Sequence, residues 1–252
     1  MRVLCFGAHP DDIEIGMGGT IARYAAEGNE ILMAVCMVPN EVERRNGEIA
    51  HAAELLGARA IVQNLDLDHK ILTREIVGIF DGLIADFGPD VIFTHWNHDS
   101  HQDHRIISEA VFAAARRNDC DLYMYEQIIP GGITPYGFRA QRLVDISDLI
   151  DKKLGSLKAH ESQLRRFSLD WVEGVKGRAS QWGFMISVKY AEAFEVVKII
   201  EKAGKLSSGR RAEPAGAARW LENRKAERVH SAVSGPGKTE ELEIFAGRDS
   251  AE

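Results

Sequence analysis

Two clusters of polar side chains combine residue types that bind metal ions and move protons. The first is the run Ala8-His9-Pro10-Asp11-Asp12, and the second is segment 95–104, which contains four histidines and two aspartates. Imidazole and carboxylate together suit zinc, and a catalytic zinc site has three protein ligands with one position left open. Zinc makes a water molecule reactive near neutral pH. The two clusters therefore predict a metal centre that hydrolyses a bond.

The segments before these clusters are expected to bring them together. Each cluster directly follows an apolar run typical of a buried strand, residues 2–8 and 90–94. Further strands are predicted at 30–38, 60–64 and 121–127, and helices at 18–27, 41–56, 73–87 and 104–117. Such alternation predicts a mostly parallel sheet, whose sites form where strands end. The clusters should thus share one sheet edge, although about 90 residues separate them.

The predicted fold class is α/β, with a Rossmann-like, mostly parallel sheet sandwiched by helices. After Pro130 the pattern is less regular and predicts an α+β part, with a strand at 142–146, helices at 147–164 and 171–180, and a strand or helix at 190–200. From residue 204 onward, glycine, serine, proline and charged residues dominate. We therefore expect one domain over residues 1–203 and a polar, mobile tail over 204–252.

Spacing alone leaves the individual roles open. Asp11 or Asp12 could cap a helix, and a His-Pro-Asp sequence is often an ordinary turn. In the second cluster the histidines recur every three residues, and His101 and His104 lie at the entry of the predicted helix. His95 and His98 could support the ligands, contact substrate or lie at the surface. Trp96, beside them, could be core packing or a pocket wall.

At these motifs the chain resembles the LmbE-like (PIG-L) family of zinc deacetylases, which act on N-acetylglucosamine-type groups. The resemblance covers about residues 2–198. It is carried by Ala8-His9-Pro10-Asp11-Asp12-Ile13-Glu14-Ile15-Gly16, Gly18-Gly19-Thr20, His101-Gln102-Asp103-His104-Arg105, Arg45 and Glu48, Asp68, His160-Glu161-Ser162-Gln163 and Tyr190-Ala191-Glu192-Ala193-Phe194. These elements occur in the family's order.

The resemblance implies a role for each matching residue. The metal ligands would be His9, Asp12 and His104, and they would hold one Zn²⁺ per chain, or Fe²⁺ or another divalent ion. Asp11 would be the general base, and His101 the general acid or the group that stabilises the oxyanion. Asp103 would orient an imidazole and keep it in one tautomer. Arg45 would bind substrate or position a carboxylate, and Asp68 and His160 would bind substrate.

The implied function is hydrolysis of the N-acetyl group of an N-acetylglucosamine-containing small molecule, which releases acetate and a free amine. The alternatives are a metal-dependent hydrolase of another amide or ester bond and a non-catalytic sugar-binding protein on the same fold. A nucleotide-binding module, with residues 16–19 cradling a phosphate, is disfavoured because the glycines do not fit a known phosphate-binding spacing. The resemblance also implies a possible homo-oligomer.

Composition argues against other classes of partner. A net charge of −7 disfavours nucleic acid, and no apolar stretch approaches the roughly 20 residues that span a bilayer. Cys5, Cys36 and Cys120 are odd in number and form no C-x-x-C pair, which indicates reduced core thiols. A cytoplasmic location is expected, with no membrane partner.

Overall fold

A computed structural model of the chain describes residues 1–65, 72–127 and 132–201, and the backbone of 243–244. The first part alternates strictly between strands and helices: β1 (Arg2–Gly7), α1 (Asp12–Ala26), β2 (Glu30–Val35), α2 (Val42–Leu56), β3 (Arg59–Val62), α3 (Arg74–Phe87), β4 (Val91–His95), α4 (Gln102–Ala115) and β5 (Asp121–Tyr125). The second part contains β6 (Arg142–Asp145), a 3-10 turn (Ser147–Leu149), α5 (Ile150–Lys158), α6 (Glu161–Met185), β7 (Ala191–Lys198) and the short β8 (Glu243–Ile244).

These strands form one mixed sheet in the order β6-β7-β5-β4-β1-β2-β3-β8. Strands β1 to β5 are mutually parallel, whereas β6, β7 and β8 pair antiparallel with their neighbours. One apolar cluster packs α1, α2, α5 and α6 on one face, and a second packs α3 and α4 on the other. The predicted α/β class with a mostly parallel sheet between helices is confirmed.

The sheet order explains why the two polar clusters meet. Strand β1 pairs with β2 on one side and with β4 on the other, so the winding direction reverses between β1 and β4. At such a reversal the loops leaving two adjacent strands diverge and open a crevice. The first cluster leaves β1 and the second leaves β4, which places both at this crevice.

The irregular second part differs from its prediction in two places. The helix predicted at 147–164 is broken, because α5 ends at Lys158 and His160 has non-helical dihedral angles before α6 begins at Glu161. Helix α6 includes the helix predicted at 171–180 and continues to Met185, with a break at Ser168, whose φ is 62°. The segment predicted as a strand or helix at 190–200 is a strand, β7.

Two predictions concern the whole chain. All three cysteines are buried and free, as expected of reduced core thiols. Of the helices in the described part of the chain, none has both the length and the apolar character needed to cross a membrane. The predicted tail at 204–252 lies outside the described residues, apart from the backbone of β8, and its mobility stays a prediction.

Candidate metal centre and active site

Asp12 lies at the centre of the crevice between the β1 and β4 loops. Its Oδ1 is 3.4 Å from Nε2 of His104, and its Oδ2 is 3.5 Å from Nδ1 of His9. Two atoms that each bind one zinc ion at a tetrahedral angle lie about 3.4 Å apart. The backbone N–H of His9 also donates to Asp12 Oδ2 at 2.7 Å, which closes the turn between them. These separations suit a shared ion.

A carboxylate lies behind each of the two imidazoles. Asp103 Oδ2 is 3.1 Å from His9 Nε2, and Asp99 Oδ2 is 3.1 Å from His104 Nδ1. Such a partner fixes the tautomer and leaves the opposite ring nitrogen free to bind a metal. Asp103 is farther from His101, at 3.9 Å from its Nδ1. The imidazole that Asp103 orients is therefore that of His9.

Asp99 was not singled out from the sequence. It lies in the turn after β4, where its Oδ1 accepts the backbone N–H of His101 at 2.8 Å. Through its two oxygens it connects the start of α4 to the ring of His104. The signal that could have found it is a carboxylate five residues before a candidate ligand, inside the same histidine-rich loop.

The described residues contain two overlapping groups of metal-binding side chains whose ligand atoms lie within 4.8 Å of one another. One is Asp12, His95 and His104, and the other is His9, His101 and His104. The set predicted from the family, His9, Asp12 and His104, shares two members with each group. His104 belongs to all three combinations.

His95 is close to Asp12 but its ring nitrogen is already engaged. Nε2 of His95 lies 3.2 Å from Asp12 Oδ2, yet it also accepts the backbone N–H of Ala8 at 2.8 Å. The ring is fully buried and stacks on His104, with centroids 4.0 Å apart. A nitrogen whose lone pair accepts a hydrogen bond is a poor ligand. This favours His9 over His95 as the third ligand.

Protons occupy the histidines when no metal is bound. Burial alone would lower the pKa of His9, but hydrogen bonds to Asp103 and Asp12 outweigh it and raise the pKa to about 9. Burial would likewise lower the pKa of His104. The Asp12 and Asp99 carboxylates outweigh this effect and raise the pKa to about 10. At pH 7 both imidazoles therefore carry a charge that balances the buried carboxylates.

Metal binding should consequently release protons. Ligation needs neutral imidazole, so an ion that binds at pH 7 must displace about two protons from groups whose pKa values are about 9 and 10. Affinity should rise with pH up to that range and fall as the pH is lowered. Titration calorimetry in buffers of different ionisation enthalpy measures the number released. A value near zero at pH 7 would contradict the assignment of these histidines as ligands.

Asp11 precedes α1 in a backbone conformation that is uncommon for a side chain other than glycine. Its φ is 94° and its ψ is −25°. Burial, and then the neighbouring Asp12 carboxylate, raise the pKa of Asp11 to about 7, while His160 and Arg45 oppose the shift. A carboxylate with a pKa near the working pH is suited to take up and return a proton. Strained backbone of this kind clusters at functional sites.

His101 is the most exposed of the four histidines that lie near Asp12. Its side chain is 40% exposed, and its Nδ1 accepts the backbone N–H of Asp103 at 3.2 Å. In the neutral ring the proton is therefore on Nε2. Burial, followed by the charges on His104 and His9, lowers the pKa of His101. The protonated ring is thus a stronger acid than a free imidazole, and it is partly accessible to solvent.

The predicted substrate-binding residues lie in different surroundings. Arg45 is buried and donates to the Pro10 carbonyl at 3.3 Å, which braces the turn that carries Asp11. His160 is fully buried, with Nε2 3.1 Å from Glu14 Oε1. Neither side chain reaches open solvent. Asp68 lies outside the described residues.

Helix α1 contains a break that the sequence did not reveal. Met17 has φ −150°, so the segment that carries the aspartates ends there and a second segment follows. The ammonium of Lys153 donates to the free carbonyls of Glu14 and Ile15, at 3.0 and 2.7 Å. Glu192 accepts from the free amides of Gly19 and Thr20, at 2.9 and 2.6 Å. One buried ion pair, 2.5 Å long, therefore caps both ends of the break.

The glycines in this helix serve packing. An added Cβ on Gly16 would overlap the ring of Tyr125, and one on Gly19 would come within 2.6 Å of Ile146 Cδ1. The helix therefore approaches Tyr125 just before the break and Ile146 just after it, with no side chain of its own between them. Close packing therefore explains the glycines at 16–19, which were considered above as a possible phosphate-binding loop.

Breaking the Lys153–Glu192 pair should destabilise the protein. Lys153→Met leaves the Glu192 carboxylate buried without its cation, and such a loss costs about 3 kcal/mol of unfolding free energy. The double variant Lys153→Met/Glu192→Gln removes both charges and should recover more than half of that loss. Urea unfolding of the three proteins measures this. Equal stability of the Lys153→Met variant and the unaltered chain would show that the pair does not hold the break.

Comparisons with known proteins agree with this site. The family model described as "PIG-L: GlcNAc-PI de-N-acetylase" matches residues 4–115, which include both polar clusters. The diacetylchitobiose deacetylase of Thermococcus kodakarensis is 28% identical over 223 residues, covering 78% of this chain and 83% of that protein. An Escherichia coli (strain K12) protein named uncharacterized deacetylase YaiS is 30% identical over 125 residues, covering 45% of this chain and 68% of that protein.

A solved structure shows the same architecture. The conserved protein TT1542 from Thermus thermophilus matches with a TM-score of 0.69 at 25% identity, covering 82% of this chain and 99% of that one. The similarity therefore extends through the second, irregular part of the domain, beyond the segment that the family model matches. Taken together, the motifs, the fold and these relatives establish that the chain belongs to the PIG-L (LmbE-like) family of deacetylases.

Proposed function

We propose that this chain is a metal-dependent deacetylase that removes the N-acetyl group from an N-acetylglucosamine-containing small molecule. The products are acetate and a free amine. The observation that carries the proposal is that two groups suited to proton transfer, Asp11 and His101, lie beside the possible ligands His9, Asp12 and His104. A metal-dependent amide hydrolase needs both the metal ligands and the proton-transfer groups.

The donors fit one divalent ion, and we assign it to His9, Asp12 and His104. Two histidines and a carboxylate are a common catalytic zinc set, and Fe²⁺ also accepts these donors. When bound, the ion would supply Lewis acidity for the amide carbonyl and would activate a water molecule. Asp103 and Asp99 would hold the two imidazoles with their ligand nitrogens toward Asp12.

The remaining chemistry belongs to side chains of the chain itself. Asp11 would accept the proton of the attacking water, because its raised pKa keeps it able to bind a proton at neutral pH. His101, as the imidazolium, would donate a proton to the leaving nitrogen and become the neutral ring. Arg45 would keep the Pro10–Asp11 turn in place and its charge would stabilise the Asp11 carboxylate. Loss of the proton from Asp11 and uptake of one by His101, both by exchange with solvent, then restore the two groups.

The substrate class follows from what the relatives share. The description of the family model names an N-acetylglucosaminyl lipid as substrate, and the name of the Thermococcus relative gives an acetylated disaccharide. An acetylated amino sugar is common to both, whereas the attached group differs. We therefore infer an amino-sugar conjugate as the small-molecule partner of this chain.

Released acetate measures this function directly. A panel of N-acetylglucosamine conjugates is incubated with the protein as purified, after chelation, and after return of Zn²⁺. We expect acetate from at least one conjugate, its loss on chelation, and its recovery with metal. Sugar binding without acetate release in the metal-loaded protein would instead support the non-catalytic sugar-binding alternative. Elemental analysis should give one metal per chain, and two would favour phosphoester chemistry.

A further inference from the structure

A row of aromatic side chains leads away from the histidine-rich loop, and we call it the aromatic strip. It consists of Trp96, His98, Tyr136, Phe138 and Trp182. The ring of His98 stacks on Tyr136, with centroids 4.3 Å apart and planes 28° apart. Trp96 touches His98 on one side and Phe138 on the other, at 5.7 and 5.8 Å. The rings thus form a continuous surface rather than scattered contacts.

The strip begins on the loop that follows β4. Trp96 directly follows His95, the last residue of β4, and its backbone N–H donates to the Tyr125 carbonyl at 3.0 Å. Its own carbonyl accepts the backbone N–H of Asp99 at 3.2 Å. Asp99 in turn positions His101 and His104, so one short loop carries both the strip and the catalytic histidines.

One polar atom of the strip has no partner. Trp96 is only 5% exposed, and its indole Nε1 makes no hydrogen bond to any residue in the described ranges. A buried indole N–H is normally paired, because leaving it unpaired is costly. The group is therefore available to a ligand that offers an oxygen atom.

The two ends of the strip are open. Tyr136 is 59% exposed and His98 is exposed as well, so their stacked rings present a flat face to solvent. At the other end, Trp182 lines a cavity whose wall also contains the ion pair of Arg178 and Glu126, 2.9 Å long. Aromatic faces with a few fixed polar groups are the usual composition of a small-molecule site.

We propose that the aromatic strip binds a second pyranose ring of the substrate, attached to the acetylated sugar whose amide lies at the metal centre. This inference rests on the proposed function. A pyranose has an apolar C–H face that packs on aromatic rings, and a rim of hydroxyl groups that would accept the Trp96 N–H. An alkyl or acyl chain would satisfy the rings but leave that N–H unpaired. The preferred substrate is then an oligosaccharide rather than a lipid-linked sugar.

Steady-state kinetics on N-acetylglucosamine and N,N'-diacetylchitobiose test the strip. Tyr136→Ala should raise KM for the disaccharide about fivefold, the size of one aromatic contact, without changing its kcat. Both constants for the monosaccharide should stay as they are. Trp96→Phe keeps a ring but removes the N–H, and it should raise KM for the disaccharide alone. Phe184→Ala, at an aromatic residue that is 86% exposed and outside the strip, is the matched control and should change nothing.

Three outcomes would overturn the strip as a sugar subsite. In the first, Tyr136→Ala leaves KM for the disaccharide unchanged. In the second, it raises KM equally for both sugars. In the third, it raises KM more for an alkyl N-acetylglucosaminide than for the disaccharide. If the unaltered chain releases acetate from neither sugar, the proposed function fails for these substrates. The strip is then tested by calorimetry alone, in which Tyr136→Ala should weaken disaccharide binding about fivefold. Unchanged binding would exclude the strip independently of the chemistry.

Discussion

Asp11→Asn is expected to lower kcat by about a thousandfold while the protein keeps its metal ion. Positioned general acid–base groups contribute about a hundredfold to ten-thousandfold, and Asp11 is the group assigned to the attacking water. Asparagine has the same shape and tolerates positive φ, so it can occupy the φ of 94° without new strain. It cannot take up a proton. The loss should therefore fall on kcat and not on folding.

Rates and metal content must be measured on the same samples. Acetate release gives kcat, and elemental analysis gives the metal content, which should stay near one per chain. Asp86→Asn replaces an exposed aspartate on α3 and serves as the matched control, with unchanged activity expected. Full activity of Asp11→Asn would remove Asp11 from the mechanism, and loss of metal in this variant would make Asp11 a ligand instead.

His104→Ala should abolish both metal binding and activity. His104 is common to the two groups of possible ligands, and its Nε2 lies 3.4 Å from Asp12 Oδ1. Without this imidazole, the Asp12 and Asp99 carboxylates lose a cation that lies between them. We expect metal content to fall from one per chain to near zero and acetate release to fall below detection, at least about a thousandfold. Elemental analysis after dialysis against trace zinc is the measurement.

Two further variants serve as controls for His104→Ala. His51→Ala removes an exposed histidine on α2 and should keep both metal and activity. His95→Gln retains an acceptor for the Ala8 amide, now held at 2.8 Å, and should keep its metal if His95 is not a ligand. Metal loss in folded His95→Gln equal to that in His104→Ala would favour the group of Asp12, His95 and His104.

The parallel half of the fold was accessible from the sequence because its signals are local. Each strand from β1 to β5 is a short apolar run, and Gly57 and Gly88 end their helices at φ values of 74° and 60°. The meeting of the two clusters followed from topology alone. In the second half the deciding contacts are distant in sequence: Lys153 reaches the carbonyl of Glu14, 139 residues away. No local periodicity reports such a contact.

The site shows the same division between local and distant signals. Motif spacing selected the aspartates and the histidines, and the structure brings them together in one crevice. Motif spacing could not show that Asp103 pairs with His9, because the two residues are 94 positions apart in the sequence. The sequence also could not show that His160 is buried against Glu14, because a histidine just before a helix can lie at the surface equally well. Partner choice among several imidazoles and carboxylates is set by tertiary packing.

The proposed mechanism requires that His9, Asp12 and His104 hold a single metal ion. Anomalous diffraction at the zinc edge from zinc-loaded, active crystals tests it directly. We predict one peak per chain, in contact with these three side chains, with Asp11 and His101 beside the ion but not bound to it. A peak held by Asp12, His95 and His104 with His9 turned away, or an active crystal with no peak in this crevice, would contradict the claim.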